Sequence, residues 1–495
     1  MKIADERITK YGLALLAIVL IGLFLRVYQL GTQSIWLDES VSISISGLSV
    51  PQLVQAAAPD VHPPLYYFLL HYWMMVFGTS ASAVRLLSVL FGVLAIPMIY
   101  VVGRQLFNKG VGLVGALILA LSSFNIYYSQ EARMYSLLVL LALVSMYFFW
   151  RFLQQSNLVS SVGYVLSTTL LVYTHYFGWF VLIAQNIYVV TLLLLSKNRT
   201  YKLRHWVAVQ AIVLALYVPW MGIAVNQASQ RLTVGESVGQ LLQPTIVTII
   251  QTFGIYSDSS VLLSALFLAL SALSLFAYKR VRGSMDWKAP LKAFESYSWE
   301  VHIQDATPVY FLVVLLLSIN VIPSVISYFY TPVYYYRYTI AASVALYLLV
   351  GKGIANINYR LFKVVVISVI IILSALQLPW NYYAITKPQA REATSFIDAN
   401  AKSGDAVLIY PGWESQTFNY YNNRTDVAVK QIYYGNGSVD IQSDVNGRDR
   451  VWFYGATGYG TPIENFTLNF LNESYAKIYV NSYYGYSVYL YEKRA

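Results

Sequence analysis

The sequence predicts an α-helical polytopic membrane protein that ends in a small α/β domain, and three observations carry that reading. Hydrophobic residues make up 57% of the chain and charged residues 11%, whereas soluble domains carry roughly a quarter charged residues. About eleven apolar segments approach the length of about 20 residues that a helix needs to cross the hydrocarbon core. Beyond residue 380 the pattern changes to short runs of β-like alternation.

Taken in order, the apolar segments lie near residues 11–30, 81–103, 110–128, 133–153, 159–176, 177–196, 206–225, 259–278, 308–329, 337–355 and 362–380. The first lacks a small-residue cleavage site and is expected to stay as an anchor rather than act as a signal peptide. It is followed by a long connection, 31–80, whose length marks it as a functional element. Residues 39–57, with Val41, Ile43, Ile45, Leu48, Leu53 and Val54, predict one amphipathic helix. A second begins at His62-Pro63-Pro64-Leu65 and runs to Phe77, since proline suits a first helical turn. Both are short for a span and are expected to lie at the outer interface. Residues 1–380 thus form the transmembrane domain.

Residues 381–495 are expected to form a separate α/β domain, with a helix at 389–401 and strands at 406–410, 427–432, 450–454, 476–480 and 487–491. Four N-x-S/T sequons, at Asn423, Asn436, Asn465 and Asn472, fall in this domain, and a fifth is at Asn198. Their clustering fits an external location.

The net charge of +10 does not indicate a nucleic-acid partner, because its placement has a simpler cause. Loops on one side carry Lys2, Arg7 and Lys10, then Arg104 and Lys109, Arg151, Lys197 to Arg204, Lys279 to Lys292, and Lys352 to Lys363. The alternate loops before residue 380 hold Arg133, Arg231 and Arg337. The positive-inside rule then places the N-terminus in the cytoplasm and, after an odd number of spans, residues 381–495 outside. Cysteine is absent, which excludes disulfides, thiolate metal sites and a cysteine nucleophile.

Ionisable residues near a bilayer are functional candidates by default. The outer acids are Asp38, Glu39, Asp60, Glu131, Glu236 and Asp258, and the remaining bases are Arg26, Arg85, Arg133, Arg231 and Arg337, with His62, His71 and His175 as titrating partners. Asp38 and Glu39 stand at a helix start, where acids complement the dipole, and a carboxylate there could equally take a proton from an acceptor hydroxyl. The run Gln130-Glu131-Ala132-Arg133-Met134-Tyr135 opens a span. It reads either as an interfacial Glu-Arg pair in an aromatic belt or as an arginine that holds a phosphate. His175 sits in a tight turn, and Arg337 lies within Tyr334-Tyr335-Tyr336-Arg337-Tyr338. His62 and His71 lack the i, i+4 spacing of a helical metal pair, while a divalent cation on Asp38, Glu39 and phosphate oxygens stays open because hard cations prefer oxygen.

The order of these motifs, an acidic pair after the first span, His-Pro-Pro-Leu, Arg85-Leu86-Leu87-Ser88 and Gln-Glu-Ala-Arg-Met-Tyr, resembles the dolichyl-phosphate-mannose protein mannosyltransferase superfamily with its aminoarabinose-transferase-like branch. The resemblance is clearest over residues 11–200 and returns at Arg337-Tyr338. It implies a C-type glycosyltransferase fold, a dolichyl- or undecaprenyl-type polyprenyl-phosphate sugar as donor, and a hydroxyl acceptor on a lipid, glycan or protein. By resemblance Asp38 is the catalytic base, with Glu39 beside it. Arg133 and Arg337 are expected at the donor phosphate, joined by His62, Tyr135 and Arg85, with Glu131 and His175 in support. The Trp-Trp-Asp motif of oligosaccharyltransferases is missing, so transfer of a single sugar is expected, with inversion. The competing class is a transporter or flippase of a lipid-linked substrate, against which stand the lack of an internal repeat and the gathering of charges at one face.

Overall fold

The computed structural model describes residues 2–195, 200–234, 243–280, 297–300, 303–433, 441–458 and 462–494. Among them eight helices are long and apolar enough to cross a membrane, or ten spans if each of two bent pairs counts as one. Each apolar segment read from the sequence contains a helix, with Leu158–Thr174 falling just short of span length. Apolar side chains such as Leu13, Phe24, Leu361 and Leu376 are exposed, which suits a surface solvated by lipid tails. The chain is an integral membrane protein. The sequons at Asn198 and Asn436, and Glu236, lie outside the described residues.

The chain divides into two compact units. The first comprises Met1–Tyr28, Val50–Leu69 and Arg85–Tyr382, and the second Gln29–Ser49, Leu70–Val84 and Tyr383–Ala495.

The long apolar helices are α1 (Lys2–Val27), α5 (Ala81–Leu106), the pair α6 (Lys109–Leu121) and α7 (Ser123–Ser129), α8 (Tyr135–Gln155), the shorter α9 (Leu158–Thr174), α10 (Gly178–Leu195), α11 (Thr200–Val234), the pair α12 (Ile246–Tyr256) and α13 (Val261–Leu273), α14 (Ile303–Phe329), α15 (Ser343–Asn356) and α16 (Arg360–Tyr383). Two differ from the straight spans expected. The segment at 110–128 is bent by 61° and the one at 259–278 is the second half of a pair bent by 91°. In each case serine supplies the cap that lets a new helix start. Ser122 accepts from Asn125 N at 3.3 Å and Ser260 from Leu263 N at 3.4 Å. Helix α15 forms the buried centre of the bundle. Glycine permits its close contacts, since a methyl group on Gly353 would lie 1.9 Å from the Leu270 carbonyl of α13, and one on Gly351 3.0 Å from the Val111 carbonyl of α6. A short antiparallel pair, β1 (Ala277–Arg280) with β2 (Tyr297–Glu300), follows α13.

The second unit is built on a five-stranded sheet of β3 (Ala406–Tyr410), β4 (Ala428–Gln431), β5 (Arg450–Ala456), β6 (Tyr475–Tyr483) and β7 (Tyr486–Lys493), in the order β4-β3-β5-β7-β6. Strand β3 runs parallel to β4 and β5, and β7 antiparallel to β5 and β6. Alternation sorts its side chains into two cores. Val407, Ile409, Trp452 and Tyr454 pack with Ala393 and Ile397 of α17 (Ala390–Asn400) and Phe418 of α18 (Ser415–Tyr421). Leu408, Tyr410, Val451 and Phe453 pack on the other face with Ile441 and Val445 of α19 (Ile441–Val445) and Leu471 of α20 (Pro462–Ser474). This is the three-layer arrangement a strand with both faces buried requires.

The loop after α1 contains three helices where the sequence reading expects two. These are α2 (Leu37–Ser46), α3 (Val50–Ala57) and α4 (Leu65–Phe77). Gly47 closes α2 by donating to the Ile43 carbonyl at 2.8 Å, and the chain restarts before Pro51 at the first turn of α3.

Candidate active site

In the first unit most of the sequence-predicted residues converge. The loop 58–64 brings Asp60 and His62 beside Arg133. His62 Nδ1 lies 3.4 Å from Asp60 Oδ2 and 3.2 Å from Arg133 Nη2. The one ring nitrogen serves a single proton at a time. It accepts from the guanidinium when unprotonated, and donates to the carboxylate when protonated. Tyr67 donates to Asp60 Oδ2 at 2.5 Å. Burial by itself pushes the Asp60 carboxyl up, but the hydrogen bond and charge from His62, the Arg133 guanidinium and the Tyr67 hydroxyl outweigh it and hold the group well below the usual carboxylate range.

Arg133 is 3% exposed and Glu131 fully buried. Their loop is pinned by the Ser88 hydroxyl, which donates to the Arg133 carbonyl at 3.0 Å and meets Tyr66 at 2.8 Å. Arg85 is buried on α5 one turn before Ser88. His175 closes α9, with Phe177 N donating to its Nδ1 at 3.1 Å. Its ring centroid lies 5.1 Å from that of His62 and 5.0 Å from that of Tyr338. The Arg337 guanidinium lies over three rings, at 4.9 Å from Tyr335, 5.6 Å from Tyr338 and 5.9 Å from Tyr135, where the aromatic faces attract the cation.

A cavity of about 420 Å³ opens on this cluster, lined by His62, His175, Tyr176, Trp179, Gln227 and Tyr338 among others. Gln227 was not anticipated. Its amide donates to the Ala58 carbonyl at 2.7 Å and the Asp60 carbonyl at 2.5 Å and accepts from the Tyr176 hydroxyl. It therefore latches the loop that carries His62. Nothing in its local sequence marks it, and Asp60, two residues before His62, is told apart from the other loop acids by geometry alone.

Asp38 and Glu39 belong to the second unit. There α2 packs on α18 through Ser40 and Thr417, whose hydroxyls are 3.0 Å apart, and Ile35 N donates to the Tyr421 hydroxyl at 2.5 Å. Glu39 is buried, with its Oε2 3.3 Å from Lys387 Nζ. Asp38 is half-buried in the first turn of α2. Burial foremost, against hydrogen bonds from Tyr486 and Thr417, with the Asp38 charge adding to it, raises the Glu414 carboxyl above its ordinary value. His71 bonds the Ser46 carbonyl at 2.8 Å in the same unit. Among the described residues no three His, Asp or Glu side chains converge on one point, and Glu39 already holds a lysine. A cation cage of three such protein ligands is therefore not formed among the described residues.

Residues 61–223 match the family model described as dolichyl-phosphate-mannose-protein mannosyltransferase. No match is found among curated protein sequences. Among solved structures the chain is similar to ArnT from Cupriavidus metallidurans in the apo state, at 12% identity over 98% of each chain and a TM-score of 0.63. The same protein bound to undecaprenyl phosphate matches at 12% identity over 97% of this chain and 98% of that one, with a TM-score of 0.62. The oligosaccharyltransferase AglB from Archaeoglobus fulgidus, in complex with an inhibitory peptide and a dolichol-phosphate, matches at 13% identity over 97% of this chain and 74% of that one, with a TM-score of 0.53. The chain is thus an integral membrane protein with the fold of the C-type glycosyltransferases, and its resemblance to the mannosyltransferase superfamily holds through residues 61–223.

Proposed function

We propose that the protein is an inverting glycosyltransferase that moves a single sugar from a polyprenyl-phosphate carrier to a hydroxyl of a lipid, glycan or protein at the extracytoplasmic face. The observation that carries the reading is the buried Arg133-His62 contact, with Arg337 caged by tyrosines, beside a largely aromatic cavity. Ionisable groups near a bilayer mark functional sites, and a departing phosphate needs fixed donors as its charge develops, a task suited to the planar donors of arginine. The undecaprenyl phosphate and dolichol-phosphate of the two relatives support a polyprenyl phosphate as that anion.

In this mechanism Asp38 takes the proton of the acceptor hydroxyl, whose oxygen bonds to the anomeric carbon from the face opposite the phosphate. The carbon-oxygen bond to phosphate breaks, and the leaving phosphate carries the electron pair. Arg133 and Arg337 bind it, joined by His62, Tyr135 and Arg85, with Glu131 and His175 in support. Glu39 serves through its lysine contact rather than as a second base. The lysine and arginine asymmetry of the loops supports a cytoplasmic N-terminus and an external C-terminal domain.

The two broken spans are a specific point in favour of the second reading, a transporter of lipid-linked substrates. Labelled polyprenyl-phosphate sugars supplied to purified protein with candidate acceptors separate the two. Transfer that is lost in Asp38→Asn supports the enzyme, transfer unaffected by it removes Asp38 as base, and lipid flipping without transfer supports the transporter.

A further inference from the structure

Two buried ions of opposite sign in the first unit take no part in the mechanism above. Arg26 on α1 is 0% exposed and Asp258, between α12 and α13, is 7% exposed. Both meet the same break, where α6 gives way to α7. A break leaves the last carbonyls of the first half-helix and the first N-H groups of the second without intrahelical partners. It also places partial negative charge at the end of α6 and partial positive charge at the start of α7.

Each ion sits on the end that it stabilises. Arg26 Nη2 donates to the Leu119 carbonyl at 2.9 Å and Nη1 to the Ala120 carbonyl at 3.1 Å. Asp258 Oδ1 accepts from Ser123 N at 2.8 Å and from the Ser123 hydroxyl at 2.9 Å. Asp258 and Ser259 reach this place in left-handed backbone, with φ of 56° and 57°, a conformation other than glycine rarely adopts. Arg26 also spans the break. Its Nε donates to the hydroxyl of Ser129, the last residue of α7, at 3.2 Å, and the amide of Gln130 returns to the carbonyls of Arg26 at 3.1 Å and Tyr28 at 2.8 Å. Ser129 stands four residues before Arg133.

We propose that Arg26 and Asp258 are positioning residues that set the direction of α7 and thereby the place of Arg133, an inference that rests on reading Arg133 as a donor-phosphate ligand. Helix α7 is about 10 Å long, so a turn of about 10° at the break carries its far end roughly 2 Å. The 3.2 Å contact of Arg133 with His62 does not survive such a shift.

The test titrates the purified full chain with undecaprenyl phosphate as probe, for wild type, Arg26→Gln, Arg133→Gln and the double variant. Each single substitution is expected to weaken binding about tenfold or more, and the double variant to bind no more weakly than Arg133→Gln, because Arg26 acts through Arg133. Multiplied defects in the double variant, or wild-type affinity in Arg26→Gln, overturn the proposal. Amide hydrogen exchange reads the geometry apart from the ligand. Arg26→Gln should speed exchange over residues 123–133 while α8 and α15 keep theirs, and unchanged exchange there overturns the proposal whatever Arg133 binds. If Arg133→Gln binds the probe as wild type does while exchange responds as expected, the phosphate reading fails and the positioning of α7 stands. Asp258→Asn, which keeps the shape of the side chain, should show the same exchange pattern and serves where Arg26→Gln does not fold.

Discussion

Replacing Lys387 with methionine tests how the segment that carries Asp38 is held. Lys387 Nζ lies 3.3 Å from Glu39 Oε2, with side-chain exposures of 4% and 0%. At an effective dielectric constant of about 20, two unit charges at that separation attract by about 5 kcal/mol. Removing one partner of a buried pair costs about 3 to 5 kcal/mol, which for a unit of this size lowers the melting temperature by roughly 6 to 20 °C. Scanning calorimetry of the purified protein reads that shift. Removing both charges is near neutral in such pairs, so Glu39→Gln with Lys387→Met is expected to recover most of the loss. Transfer activity should follow, because Asp38 adjoins Glu39 in the first turn of α2. A Lys387→Met protein that melts within about 1 °C of wild type at neutral pH would refute the reasoning, since the 3.3 Å contact would then hold nothing.

Three further outcomes follow from named contacts. Asp60 is held below the usual carboxylate range, so its stabilisation is complete above the unfolded value of about 4 and is lost as pH falls through the lower folded value. Asp60→Asn should remove that acid-side loss and cost about 1 to 3 kcal/mol at neutral pH, read by thermal denaturation across pH. Glu414 shows the opposite sign. Its folded value is raised, the folded protein binds more protons between the ordinary and the raised value, and stability falls as pH rises through that window. Glu414→Gln should flatten this slope while keeping a partner for Tyr486. Gly353→Ala forces a methyl group to 1.9 Å from the Leu270 carbonyl, and the separation of α13 and α15 should cost about 1 to 3 kcal/mol or more, seen as a lower melting temperature in detergent.

Much of the candidate cluster was legible residue by residue, because charge near a bilayer is rare and each case asks for a reason. His62, Arg133, Tyr135, His175 and Arg337 come from four separate stretches of chain and meet in the first unit. The role of Asp60 was hidden by its position among ordinary loop acids, since only its geometry shows that it shares His62 with Arg133. Gln227 could not have been found, because a glutamine on an apolar helix has no periodic or motif signature, and its meaning lies in the carbonyls of residues 58 and 60 that it bonds.

Hydrophobic length determined the membrane class and the run of helices, because lipid accepts only backbone whose polar groups are satisfied within the segment, and the change to β-like alternation beyond residue 380 marked the α/β domain. Tertiary structure decided the rest. The sequence shows no reason why the span at 110–128 should bend by 61°, since serine is tolerated in straight helices as well. The bend persists because Arg26 and Asp258, from distant parts of the chain, satisfy the polar groups that it exposes. In the same way Asp38 and Glu39 read as members of a loop between spans, whereas Lys387, Thr417 and Tyr421 draw that segment into the second unit. A local pattern specifies local backbone, but a buried charge takes whichever partner the fold brings within about 3 Å.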